Sequence, residues 1–298
     1  MTPLSFIRPG TRRVLLAGCL VFVAFSVGGC TSNANIRPQF FWDAIFHPSP
    51  AIINGIALTL GISVIAQVLG VILGVFAAMG KMAKFAPFRT SANLYIWFFR
   101  GTPLLVQLFF FRFGIQAAGL FKWPEITAGP LDILPEILAG TLILGVNEGA
   151  YMAEIVRAGI LSVDPGQTEA SKSLGMTYGQ TMRRIVLPQA ARVIIPPLGN
   201  EFNNMLKTTS LLSIIGVMEL YNATSVAAGH SYATFELFAA AAVWYLLMTT
   251  GWGFVQSWIE RKLAKGTAGS AAGTAAGPST PGWRGRFFRG QTETLGGH

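Results

Sequence analysis

The sequence predicts an all-α membrane protein with about five transmembrane helices. Three observations carry that expectation. Hydrophobic residues fill 52% of the 298 positions and charged residues only 12%, against about 25% charged in an ordinary soluble domain. The apolar residues gather in runs of about 20 residues or more, the length that crosses a hydrocarbon core. The basic residues collect at the ends of those runs and favour one side. Lys81, Lys84 and Arg89, then Lys172, Arg183, Arg184 and Arg192, then Arg261, Lys262 and Lys265 all fall together. That bias marks the cytoplasmic face. The net charge of +9 therefore points to a lipid bilayer and not to nucleic acid.

Residues 1–30 read as a signal or anchor segment. Arg8, Arg12 and Arg13 precede an apolar run at 14–27 that is short for a span and suits a signal h-region. Val27-Gly28-Gly29-Cys30 is loosely like a lipoprotein cleavage box, so Cys30 is a candidate lipidation site. The other reading is an uncleaved anchor with an incidental cysteine. Residues 31–50 form a periplasmic lead-in, with Phe40, Phe41 and Trp42 as interfacial anchors. Residues 51–263 hold the transmembrane domain.

Its first span is expected at 52–79. Gly70-x-x-x-Gly74 offers a close-packing face there, although glycine is common in membrane helices in any case. The second span, 92–116, contains Arg100 and Pro103. Proline leaves the carbonyl four residues back without its usual donor and distorts the helix. Arg100 either snorkels to the interface or faces substrate. Residues 117–135 form an outer loop. The third span, 137–163, carries Asn147, Glu148, Glu154 and Arg157. Glu154 and Arg157 are three apart and share a helical face; Glu148 has no local partner. The fourth, 193–217, begins with Pro196-Pro197 and continues through Asn200, Glu201, Asn203 and Asn204. Such polarity at membrane depth is tolerated only beside protein or a watery cavity. Residues 218–234 return outside and the fifth span covers 235–259. Residues 264–298 are rich in Gly, Ala, Ser, Thr and Pro, the composition of a disordered cytoplasmic tail.

Between the third and fourth spans lies a polar, basic island, 164–188. Asp164 is placed to N-cap a helix with Pro165 at N1 and Gln167 at N3. Gly175 suits the C′ position. Thr177 with Gln180 repeats the capping-box signal, and Pro188 stops or kinks the second short helix. No chemistry-bearing cluster accompanies it. Cys19 and Cys30 lack metal or redox spacing, the three histidines lie far apart, and no GxxxxGK[ST] loop occurs. No catalytic residue, metal or cofactor is expected on this chain.

Glu169, Ala170, Ser171, Gly175, Ile185, Leu187 and Pro188 reproduce the spacing E-A-A-x3-G-x9-I-x-L-P, with Ser171 at the third small position. In this the chain resembles the permease subunits of bacterial ABC importers. FRGTPLLVQ from Phe99, AYMAEIVRAGI from Ala150 and QAARVIIPPLGN from Gln189 resemble the polar amino-acid subclass. The resemblance implies a type I importer permease in the inner membrane, working with a second permease subunit, ABC ATPase subunits and a periplasmic solute-binding protein. It implies that 164–188 is the cytoplasmic coupling loop, with Arg183 and Arg184 available for ionic contact with the ATPase. A zwitterionic substrate needs donors and acceptors, and Arg100, Asn147, Glu148, Glu154, Asn200, Glu201, Asn203 and Asn204 are the candidates for its path. Glu154 and Glu201 have a second reading as structural partners of Arg157 and Arg100. Two other classes stay in view: an ion-gradient-driven secondary transporter using Glu148 or Glu201, and a lipoprotein-like assembly factor suggested only by the first thirty residues.

Overall fold

The computed structural model describes residues 36–128 and 131–264. The expected signal or anchor segment, Cys30 and the expected tail beyond 264 lie outside them. Proline supplies many of the helix starts, because its missing N–H is one of the donors a first turn cannot use. Helix α1 is Pro38–Phe46, α2 is Pro50–Met82 and α3 is Ala86–Gly101. Helix α4, Leu104–Phe109, passes through a π turn at Phe110–Gly114 into α5, Ile115–Ala117. A two-stranded antiparallel hairpin follows, β1 Ile126–Ala128 and β2 Leu131–Ile133, with Ile126 opposite Ile133. It lies in the stretch expected to be plain loop. Helix α6 is Pro135–Leu161, α7 is Pro165–Ser173 and α8 is Tyr178–Thr181. A second π turn, Met182–Val186, leads into α9, Leu187–Thr208, and a 3-10 turn, Thr209–Ile215. Helices α10, Leu220–Ser231, and α11, Thr234–Ala264, complete the described chain.

Among the described residues, two helices are long and apolar enough to cross a membrane alone, Pro50–Met82 and Thr234–Leu263. Two bent pairs qualify jointly. Ala86–Gly101 with Leu104–Ala117 turns through 105°, and Tyr178–Ile215 with Leu220–Ser231 turns through 53°. The second expected span is therefore not one rod. Helix α6, the third expected span, has the length at 27 residues. Asn147, Glu148 and Glu154 interrupt its apolar run, and it is the most enclosed of the long helices, with much of its length buried.

The bundle is built around α2 and α6. A side-chain carbon on Gly70 would collide with Glu148, one on Gly74 with Met152, and one on Gly145 with Leu69. The register advances in the same sense on both helices, so they run parallel. Lipid gives helices no hydrophobic reason to associate, and close backbone approach at small residues replaces it. Gly70-x-x-x-Gly74 is thus a packing face. Helix α3 returns beside α6, where Tyr95 donates to the Val146 carbonyl. Helix α9 lies antiparallel to α6, with Met205 in one buried cluster with Leu144, Leu108 and Ile62.

A second cluster, including Ala44, Ile52, Leu220 and Leu237, joins α1, α2, α10 and α11. Arg37 ties α1 to the α10–α11 turn by donating to the Ser231 carbonyl at 2.6 Å, and Trp244 donates to the Ala44 carbonyl at 3.1 Å. Phe40 and Phe41 pack inward against this cluster. Trp42 faces outward and stacks on Phe46, ring centres 5.7 Å apart. Glu219, expected in a loop returning outside, is fully buried. It N-caps α10 through the amides of Tyr221 and Asn222 at 2.9 and 2.8 Å, and Tyr245 of α11 donates to it at 2.9 Å.

Candidate functional site

The site begins with a backbone defect. Pro103 has no N–H, so the Phe99 carbonyl loses its helical donor. Two side chains replace it. Gln107 Nε2 donates at 3.0 Å and Asn147 Nδ2 at 3.1 Å. Gln107 also donates to the Thr102 carbonyl at 3.1 Å and to Thr102 Oγ1 at 2.7 Å, while its own Oε1 accepts from Asn147 at 2.9 Å. The Phe99 and Thr102 carbonyls opened by the break are thereby satisfied by side chains, as a bilayer demands. Once the ladder is relieved in this way, the chain turns through 105° between α3 and α4.

Beyond the break lies a cavity of about 200 Å³. Asn147, Glu148 and Tyr151 of α6 face Glu201, Asn204 and Thr208 of α9 across it, over an apolar floor of Leu104, Leu144 and Met205. Glu148 is 7% exposed and stands over Gly70, where a larger residue would displace it. Gln67 of α2 donates to it from 3.5 Å, at the edge of hydrogen-bond range. Gln67 Oε1 has no partner among the described residues. Two carboxylates share the cavity, and no cation is part of its lining.

The other expected path residues divide. Asn200 accepts from Gln256 of α11 at 3.4 Å and does not line the cavity. Asn203 is outside it too, with a buried Oδ1 that has no partner among the described residues. Glu154 sits nearer the loop end of the bundle in a three-way cluster. Its carboxylate takes Arg157 at 2.9 Å and Lys81 of α2 from the other side. The i,i+3 pairing expected for Glu154 and Arg157 is therefore present, with Lys81 added. Arg100 makes no salt bridge with Glu201 among the described residues; its guanidinium lies 5.3 Å from the Tyr151 ring centre. Gln107, Gln67 and Thr208 were not among the path residues expected from sequence. The rule that flagged Glu148, polarity inside an apolar run, applies equally to Gln67.

The second functional element is the loop. Asp164 caps α7 by accepting from Gly166 N at 2.8 Å. Gly175 takes φ +77°, its amide reaches the Lys172 carbonyl at 2.9 Å, and Met176 N reaches the Ser171 carbonyl at 3.1 Å. These are the paired bonds of a Schellman ending. Thr177 and Gln180 form the reciprocal capping box at 2.9 and 3.4 Å. A bond not foreseen closes the hairpin: buried Ser171 Oγ lies 2.9 Å from Thr181 Oγ1. Ser171 thus fills the small position and adds a tie. Pro188 does not stop the helix; the distortion there takes the form of a π turn. The π turn at Met182–Val186 lies just before it, so the helix absorbs the missing donor and continues to Ile215. Arg183 and Arg184 sit in that π turn, exposed with Leu187 and Pro188. Leu174 is 82% and Tyr178 72% exposed, two large apolar side chains beside the Gly175 turn. Glu169 and Ala170 are exposed beside them, and Ile185 is half-buried.

Residues 70–265 match the family model for the binding-protein-dependent transport system inner membrane component. The chain belongs to that family. It is 41% identical over 214 residues to the arginine transport system permease protein ArgU of Corynebacterium glutamicum, covering 70% of this chain and 67% of that one. It is 33% identical to the glutamine transport system permease protein GlnP of Escherichia coli, covering 76% of this chain and 98% of that one. A solved amino acid ABC transporter crystallised with histidines superposes with a TM-score of 0.66 at 38% identity, over 74% of this chain and 98% of that chain. A methionine ABC transporter in an inward-facing form shares the fold at 17% identity and TM-score 0.58, over 72% of this chain and 96% of that chain. The membrane-spanning, type I importer architecture expected from sequence is the one these relatives have. Membership assigns the chain to ATP-driven, binding-protein-dependent import and removes the ion-gradient carrier.

Proposed function

We propose that the α6–α9 cavity is the point where this importer holds a polar amino acid, and that loop 164–188 receives the ATP-driven stroke that opens it. The locked hairpin is the observation that carries the second half. It has two capped helices, a left-handed glycine turn and a side-chain tie between its arms. Leu174 and Tyr178 project from it with Arg183 and Arg184 behind. An apolar knob with a basic flank is a surface made for a protein groove and costs solubility if left bare. On this reading the loop and both basic ends of the bundle are cytoplasmic. The groove belongs to an ABC ATPase subunit, which performs the hydrolysis, and a solute-binding protein delivers substrate on the opposite side. A second permease subunit completes the wall.

Glu148 and Glu201, with no cation in the lining, favour a substrate with a cationic side chain. The test is uptake into proteoliposomes holding the permease, its ATPase and its binding protein. Uptake should need all three components and ATP. A Leu174→Cys variant should cross-link to the ATPase and react with impermeant reagents only from the ATP side. Uptake driven by a pre-set ion gradient without ATP, or labelling of Cys at 174 from the opposite face, would overturn the proposal.

A further inference from the structure

We infer that Arg100 is the group that receives the α-carboxylate of the transported amino acid. The inference rests on the reading of the α6–α9 cavity as the substrate site. Arg100 is the next-to-last residue of α3, roughly 21 Å along the helix from Ala86 at 1.5 Å per residue. Ala86 follows the turn after Lys81, and Lys81 pairs with Glu154 near the loop end of α6. The Arg100 backbone is therefore well inside the span, and its guanidinium lies over Tyr151, one turn of α6 from Glu154. Arg100 is exposed on the surface of this subunit and makes no ion pair among the described residues. A guanidinium at that depth is tolerated only when it faces protein or a water-filled path.

Two contacts aim it. The carbonyl of the preceding residue, Phe99, is held by Asn147 at 3.1 Å, and the guanidinium lies over the Tyr151 ring at 5.3 Å. Asn147 and Tyr151 both line the cavity. The cavity lining supplies two carboxylates for a positive group, but for a negative one it offers only neutral donors such as the Asn204 amide and the Tyr151 hydroxyl, and no cation. A zwitterion needs both. A guanidinium offers the planar two-donor fork that matches a carboxylate, and Tyr151 restricts the side chain without consuming its donors. The rival cation is Lys207, exposed and next in sequence to the lining residue Thr208.

The probes are L-arginine and L-argininamide, which differ only in the carboxylate. Equilibrium binding is measured on the purified permease–ATPase complex without binding protein. Wild type should prefer arginine by about tenfold or more, the scale of a lost charge-assisted fork. Arg100→Gln should weaken arginine by that factor, leave argininamide within about twofold and so abolish the preference; Arg100→Lys, which keeps the charge without the fork, should restore part of it. Equal loss for both probes, in Gln and Lys variants alike, would make Arg100 a structural residue and overturn the assignment. Collapse of the preference in Lys207→Gln with retention in Arg100→Gln would pass the role to Lys207. If neither probe binds wild type, the cavity reading itself fails, and this inference with it.

Discussion

Replacing Gly175 isolates how much the shape of the loop matters. Its φ of +77° lies in the left-handed region, and a Cβ built on it meets nothing within 4 Å. Alanine would therefore fit sterically, and its whole cost is backbone strain, about 1–2 kcal/mol. Asparagine tolerates this region better than other side chains, so Gly175→Asn should lose less. A free loop can relax out of the left-handed turn, whereas a loop seated in a partner's groove cannot. The strain should then appear as weaker association, roughly 5–30-fold in the equilibrium constant for 1–2 kcal/mol. The assay is titration of detergent-solubilised permease with purified ATPase. The expected order of affinity is glycine, then asparagine, then alanine. Gly216 has the same handedness, φ +94°, but lies at the α9–α10 break. Gly216→Ala should lower thermal stability and leave ATPase affinity unchanged. Equal affinity for glycine and alanine at 175, or asparagine falling below alanine, would refute the argument that a left-handed turn holds the docking surface.

Other substitutions test the rest of the site. Gln107→Leu and Asn147→Leu each strip a donor from the Phe99 carbonyl. Thermal unfolding of the two single variants and the double should show a coupling of about 0.6–1.7 kcal/mol, the range for side-chain hydrogen bonds in membranes, and strict additivity would sever the proposed network. Gly70→Val places a carbon 2.6 Å from Glu148 Cγ and should cost about 1–3 kcal/mol through overpacking while abolishing uptake; Gly61→Val, with open space around it, should do neither. Glu148→Gln should shift uptake from cationic toward neutral amino acids, and an unchanged preference would remove Glu148 from substrate choice. Ser171→Ala should destabilise the loop by about 1 kcal/mol, read as faster proteolysis between 164 and 188.

What was legible in the sequence follows how local the physics is. The caps at Asp164 and Thr177 and the turn at Gly175 depend on atoms a few residues apart, so the spacing was sufficient. The broken hydrogen bond at Phe99 followed from Pro103 alone. Its repair did not, because Asn147 comes from 48 residues away, and the 105° turn depends on that repair. Pro188 was read as a stop or a kink and is not a stop: proline removes a donor, and the π turn just before it takes up the gap. Glu219 looked like a surface acid because its partner Tyr245 and the α2 helix beside it are set only by packing. Among the polar residues of α9, sequence named Asn200, Glu201, Asn203 and Asn204 together. Which of them face the cavity depends on where α6 and α11 lie.

The two arms of the loop are attached to the bundle differently. The α7 arm joins α6 through three non-helical residues, 162–164. The other arm flows without interruption into the rod that ends at Ile215. A push at the turn is therefore absorbed on one side and transmitted on the other. Glu201 lies 23 residues beyond Tyr178, about 35 Å along that rod at 1.5 Å per residue, so a 10° tilt pivoting at the loop would sweep it through about 6 Å. Glu148, on the helix that is not continuous with this arm, would stay behind. A small rotation at the loop is geometrically sufficient to separate the two carboxylates, which on the proposed reading would let a positive charge go.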